Sequence, residues 1–174
     1  MNGIEIRPTS PTDLDALADV LVQVHAADGY PVEGVSNPRA WVQIPDTLGQ
    51  WTALLRGRVV GHVALMEPTP DEVAAEMMTT YAKDDPRDVA VLARLFVSPD
   101  SRGAGIANAL MEEAEACARH LQRHLVLEVL LKDKSAIALY VRRGWTRLGQ
   151  VPHTYGENEA AAASAMGKTL ISMS

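Results

Sequence analysis

The chain has 174 residues, 47% of them apolar, with a formal net charge of −6 and one cysteine. That length and apolar share suit a single domain over residues 1–174, while the acidic balance argues against general affinity for nucleic acid or anionic membranes, which takes clustered Lys and Arg. No apolar run reaches membrane-span length and the N-terminus lacks a signal-peptide core, so a cytoplasmic protein is expected; Cys117 has no partner for a disulfide and no Cys-x-x-Cys spacing for a metal.

In chain order, Ile4 to Arg7 alternate as a short strand ending at Pro8. A helix follows, with Thr12 as its N-cap, Leu14, Leu17, Ala18, Leu21 and Val22 as its buried face, and Asp28-Gly29 as its stop. Residues 30–45 are irregular, with Trp41 and Val42 on one helical turn. There Tyr30 and Trp41 either line an acceptor pocket or cover the edge of the core. Gln50 to Leu55 and Arg58 to Met66 read as an antiparallel hairpin turning at Arg56-Gly57. His62 lies on the second of these strands, both faces of which are apolar; it is a satisfied core histidine or a titratable group facing a cleft. Asp71 and Glu72 open a further helix in which Val73, Ala74, Met77 and Tyr81 repeat.

Asp88 to Val97 is a strongly apolar strand that runs into Ser98-Pro99-Asp100-Ser101-Arg102-Gly103-Ala104-Gly105. Behind it Ile106, Leu110, Ala114, Cys117 and Leu121 recur at helical spacing, which predicts a helix from about Gly103 to Leu121. The first amides of a helix have no intrahelical partner and carry the positive end of its dipole, so a turn of small residues at that point can hold an anion by main chain alone. Arg102 adds a charge, and the stretch reads as a site for a phosphorylated ligand. A dinucleotide fingerprint is excluded because its third glycine is Asn108 here, and Gly167-Lys168-Thr169 lacks the first glycine and the βαβ unit of a P-loop.

His124 to Leu131 predicts a second interior strand, parallel to the first if the helix is a right-handed crossover. Asp133 to Arg143 predicts a short helix with Ala136, Ile137, Leu139 and Tyr140 inward and Gly144 as its stop. Trp145 to Val151 reads as a strand, Pro152, His153 and Tyr155 as a loop, the alanine-rich Glu157 to Ala165 as a loop or lead-in, and about Ala163 to Leu170 as the last strand.

Arg102-Gly103-Ala104-Gly105-Ile106-Ala107 resembles the acetyl-CoA pyrophosphate motif of the GNAT superfamily of N-acetyltransferases, Gln/Arg-x-x-Gly-x-Gly/Ala. Leu127-Glu128-Val129, Asp133, Ala136 to Tyr140 and Gly144-Trp145 resemble that family's second signature, in the right order and spacing. The resemblance implies an α/β fold: a mixed sheet whose two central parallel strands splay apart, flanked by helices. It implies an acetyl-CoA-dependent enzyme that moves an acetyl group directly to a primary amine of a small molecule or peptide, with no metal. Leu95, Phe96 and Val97 would bond the pantetheine amides, the Val97 N–H would stabilise the oxyanion, Arg102 to Ala107 would wrap the pyrophosphate, and Tyr140 would be the general acid. Asp133 stands where the family often has Asn; it contacts the cofactor or caps the helix through Ser135 or Ala136. The carboxylate that many relatives carry six residues before Val97 is Val91 here, which leaves Asp88, Glu128, His62, or a water held by Tyr30 or Tyr155 as substitutes for the base. Tyr30, His62 and Tyr155 are the candidate acceptor contacts. The missing carboxylate also keeps a non-catalytic acyl-CoA-binding or sensing module in view, and a homodimer is compatible with exposed strand edges.

Overall fold

The structure, a computed structural model, describes residues 3–171. It holds seven strands in one mixed sheet of order β1-β2-β3-β4-β5-β7-β6. The strands are β1 (Ile4–Pro8), β2 (Gly49–Leu55), β3 (Arg58–Met66), β4 (Val89–Val97), β5 (His124–Leu130), β6 (Thr146–Tyr155) and β7 (Glu159–Lys168). The helices are α1 (Leu14–Asp28), α2 (Pro38–Val42), α3 (Val73–Ala82), α4 (Ile106–His120) and α5 (Lys134–Arg142). No helix among the described residues is long and apolar enough to cross a membrane. The described residues form two compact units, one of residues 3–66 and 94–114 and one of residues 67–93 and 115–171, so β4 and α4 each contribute to both.

In the first unit β1, β2 and β3 form an antiparallel meander; the register shifts opposite Ala53 and Leu54, where β3 carries the extra residue Val60. Leu17, Leu21 and Val24 of α1 pack with Val42 and Phe96, and Tyr30, Trp41 and Val59 close over them. The helix entry differs from expectation. Ser10, not Thr12, is the cap: its side chain accepts from the Thr12 amide while the Asp13 carboxylate takes the Ser10 amide, and a 3-10 turn over Pro11–Asp13 leads into α1. Asp13 wins this role because its buried carboxylate also accepts both Arg7 guanidinium nitrogens, at 2.7 and 2.8 Å, and the Thr52 hydroxyl. Those bonds hold its pKa below the ordinary carboxylate value although burial pushes the other way.

In the second unit β4 and β5 run parallel, registered at Val89 with His124, Ala90 with Leu125 and Val91 with Val126. That ladder ends there; β5 continues on its other side along β7 from Leu125 to Leu130. β6 and β7 form a long hairpin, so Pro152, His153 and Tyr155 lie on a strand and the alanine-rich stretch is its partner. α3 is rotated relative to expectation: Ala74, Ala75, Met78 and Ala82 are buried, whereas Val73 and Tyr81 are half exposed. The small alanines let the helix settle close to the sheet, where Met78 lies over Gly167 and Met77 over Gly149. On α4, Met111 and Ala118 are buried and Leu121, just beyond it, is exposed. Glu115, also on α4, is buried but neutralised by Lys168 Nζ at 2.6 Å and Arg143 Nε at 3.1 Å.

A Cβ at Gly167 would stand 2.3 Å from the Met78 sulfur and 3.1 Å from Leu148 Cδ1. Gly167→Val is therefore expected to destabilise the protein by about 2 kcal/mol, the scale of an overpacked core, read as a lower urea midpoint with unchanged slope.

Candidate functional site

β4 changes character at Arg94. This non-glycine residue has φ +57, which takes it out of regular strand geometry and turns its carbonyl aside. The carbonyl accepts a 2.7 Å bond from His62 Nδ1. The tautomer follows from the neighbours: the Gln50 side-chain nitrogen donates to the Val42 carbonyl at 2.6 Å and therefore also donates, at 2.8 Å, to His62 Nε2, leaving the imidazole proton on Nδ1. The ring stacks on Phe96 with centroids 5.2 Å apart and is fully buried. A solvent-excluded ring with both nitrogens engaged does not face an acceptor, so the expectation of His62 as a substrate contact is replaced by a structural role under the strand.

Past Arg94 come Leu95, Phe96 and Val97, with Phe96 and Val97 buried and Leu95 partly so. Ser98 then donates to the Val60 carbonyl at 2.7 Å, and a 3-10 turn over Pro99–Ser101 leads to the glycines. Gly103 and Gly105 have φ +82 and +85, with open space where a side chain would project. The helix itself starts at Ile106, three residues later than its pattern suggested, and Gly105 supplies its first carbonyl to the Ala109 amide. Among the described residues the amides of Gly105, Ile106 and Ala107 donate to no protein acceptor. Arg102 is not free beside them: its guanidinium pairs with Asp28 at the end of α1 and reaches the Val97 carbonyl at 3.4 Å.

The wall of Tyr30 and Trp41 is built around Arg94. The Arg94 guanidinium lies over the Trp41 ring at 4.9 Å and donates to the Trp41 carbonyl at 2.6 Å. The Trp41 indole N–H donates to Glu33 at 3.1 Å, and the Tyr30 ring meets Trp41 edge-on at 5.8 Å. Sequence reasoning passed over Arg94 and Gln50. The available signal was a cation inside the apolar run from Val89 to Val97.

In the second unit Tyr140 faces inward on α5, 7% exposed, its ring 5.8 Å from that of Trp145. Burial, and then the charge of Asp133, raise its pKa, so the phenol keeps its proton at any physiological pH. Asp133 stands at the N-cap position of α5 but makes no capping bond from its side chain; its carboxylate takes Lys132 Nζ at 3.1 Å instead, which corrects the capping alternative. Beyond the end of the β4–β5 ladder, the Glu128 carboxylate accepts from His153 Nδ1 at 3.2 Å, and the His153 ring stacks on Tyr155 at 6.4 Å. The Glu72 carboxyl is raised above its ordinary value by burial and by the nearby charges of Glu128 and Asp71. Val91 is buried opposite Val126, and Asp88 sits in the turn before β4. His153 was not among the candidates, because its contact with Glu128 comes from the pairing of the final strands, which the reading of its segment as a loop did not foresee.

Comparison with known proteins bears on this arrangement. The family described as Acetyltransferase (GNAT) matches residues 18–145. An uncharacterised N-acetyltransferase of Methanocaldococcus jannaschii is 31% identical over 145 residues, which is 80% of this chain and 59% of that protein. The chain thus spans about three fifths of the length of that relative. Among solved structures, yncA from Salmonella typhimurium, an acetyltransferase with its cofactor acetyl-CoA, superposes with a TM-score of 0.71 at 16% identity, covering 97% of this chain and 95% of that one. The ribosomal-protein-S18-alanine N-acetyltransferase from Escherichia coli gives 0.71 at 20% identity, covering 98% and 96%.

Burial lowers the His62 pKa from 6.5 to about 4, so the folded state refuses a proton that the unfolded chain accepts. The stability this confers is complete above pH 6.5 and is lost as pH falls toward 4, about 3 kcal/mol in all. Urea unfolding at stepped pH is expected to show this loss in the wild type and not in His62→Asn, and NMR is expected to show an imidazole that stays neutral at pH 5.

Proposed function

The chain belongs to the acetyltransferase (GNAT) family, and on that footing we propose that residues 1–174 act as one catalytic domain transferring an acetyl group from acetyl-CoA directly to a primary amine. The observation that carries this reading is the glycine turn at the start of α4, whose amides have no protein acceptor and whose glycines leave room for a bulky anion. A diphosphate suits that position, because backbone N–H groups at a helix start bind anions without a side-chain charge. Arg102 to Ala107 would hold it. The thioester of acetyl-CoA supplies the activated acyl group.

The chain's own residues then divide the work. The main chain of Leu95, Phe96 and Val97 would hold the pantetheine amides, and the Val97 N–H would be the donor to the acyl oxygen, a contribution of roughly 3 kcal/mol for one good donor. Tyr140 carries a proton that burial prevents it from losing to solvent, which suits a donor to a departing thiolate. An ammonium acceptor must be deprotonated before it attacks. Glu128 is our choice of base, since it lies past the ladder's end with His153 beside it, while Val91 has no proton-accepting group and His62 is sealed from solvent. Tyr155, stacked on His153, would border the acceptor.

Thiol release from acetyl-CoA on adding a panel of amines tests the activity; CoA binding without release from any of them would favour a sensing module. Given turnover, Tyr140→Phe is expected to lower kcat about a hundredfold with little change in the acetyl-CoA KM, and Glu128→Gln is expected to lower it comparably. Unchanged kcat in Tyr140→Phe removes the acid role.

A further inference from the structure

Arg94 has no part in the chemistry above, yet it is the most unusual charged side chain in the first unit. We propose that its guanidinium recognises a carboxylate on the acceptor, so that the amine acetylated belongs to a small amino-acid-like molecule; this deepens the acetyl-transfer reading and rests on it.

An arginine in the middle of an apolar strand ordinarily pairs with an acid, because a desolvated cation is costly to leave alone. Arg7, Arg39 and Arg102 in the same unit all do so. Among the described residues no carboxylate lies within ion-pair distance of Arg94; Glu33 and Tyr30 act on it only at longer range, and the Glu33 carboxylate takes the Trp41 indole N–H. Meanwhile the group is held in place. One nitrogen, Nη1, is bonded to the Trp41 carbonyl, and the guanidinium lies over the Trp41 ring. What remains is a pre-positioned fork of N–H donors, which matches the two oxygens of a carboxylate. Free rotation is already spent, so a ligand there meets little ordering cost.

Its place in the chain suits an acceptor contact. Arg94 immediately precedes Leu95, Phe96 and Val97, the segment assigned to the acetyl donor's arm. The left-handed backbone at Arg94 departs from the regular alternation of the strand, and the guanidinium lies on the Tyr30 and Trp41 side. Those two rings are the flat apolar surfaces that a small side chain would lie against. An amine reaches the reaction through its lone pair in any acetyltransferase of this type; a carboxylate at Arg94 adds the second point that distinguishes a free amino acid from a polyamine or an amino sugar.

The test measures kcat/KM for free amino acids, for their matched carboxamides, and for a peptide amine with no carboxylate nearby. The wild type is expected to favour each acid over its carboxamide by roughly ten- to hundredfold, the worth of a charge-assisted hydrogen-bonded pair. Arg94→Gln should bring that ratio near one, and Arg94→Lys should keep part of it. The ratio is taken within each variant, so a general loss of activity does not imitate the effect, and circular dichroism identifies a variant that fails to fold. Equal rates on acid and carboxamide in the wild type, a preference for the peptide, or a ratio that survives in Arg94→Gln overturns the inference while acetyl transfer stands. Absence of thiol release with every amine overturns the acetyl-transfer reading, and this inference with it.

Discussion

A hydrogen bond between an imidazole and a backbone carbonyl shapes the part of the sheet that carries the candidate site residues. Once Arg94 takes a left-handed conformation, its carbonyl points out of the regular strand pattern, and a buried carbonyl without a donor is expensive. His62 supplies the donor, and it can do so only as the neutral Nδ1–H tautomer, which the Gln50 amide enforces from the other side. The chain of bonds continues to the Val42 carbonyl in α2, so the irregularity in β4 is tied to the segment carrying Trp41. The Arg94 side chain closes the same loop by bonding the Trp41 carbonyl. A local departure from strand geometry is thereby fixed at both the main chain and the side chain.

The glycine turn works on a different principle. Its conformational demand is met by two residues with positive φ, and its charge preference comes from amides rather than from an arginine. Arg102 is balanced by Asp28, which reduces the bare positive charge at the turn. Main-chain donors at a helix start do not need that charge to favour an anion, and they fix its position more tightly than a long flexible side chain does. The pairing also anchors the turn to the end of α1, where the left-handed Gly29 closes the helix.

Much of this was readable in the residues, and the exceptions have physical reasons. The order of elements, the glycine turn, the parallel pairing of β4 with β5 and the inward place of Tyr140 all follow from spacing and punctuation. The phase of α3 did not, because three alanines and two methionines make several faces nearly equivalent in hydropathy, and only close approach to Gly149 and Gly167 selects one. The final hairpin was obscured by Pro152 and by a run of alanines. Proline is tolerated there since β6 is an edge strand, and Ala163 and Ala165 extend as a strand because small side chains fit beneath α3. Arg94 escaped attention for another reason: nothing in a strand's alternation announces a residue with positive φ.

The position of the proposed base follows from the way the sheet is interrupted. Where two parallel strands separate, side chains on either bordering strand can serve a ligand lying between them, so a carboxylate absent from one strand need not be absent from the site. Here β4 offers Val91, still inside the ladder and packed opposite Val126, while β5 offers Glu128 two residues past the ladder's end. Glu128 keeps its backbone pairing with Ala165 of β7, which holds the strand rigid while its other edge is no longer occupied by β4. Because β7 in turn carries β6, the same hairpin that confused the sequence pattern delivers His153 to Glu128. A base on β5 thus depends on the C-terminal strands in a way that a base on β4 would not, which ties the β6–β7 hairpin to the proposed chemistry.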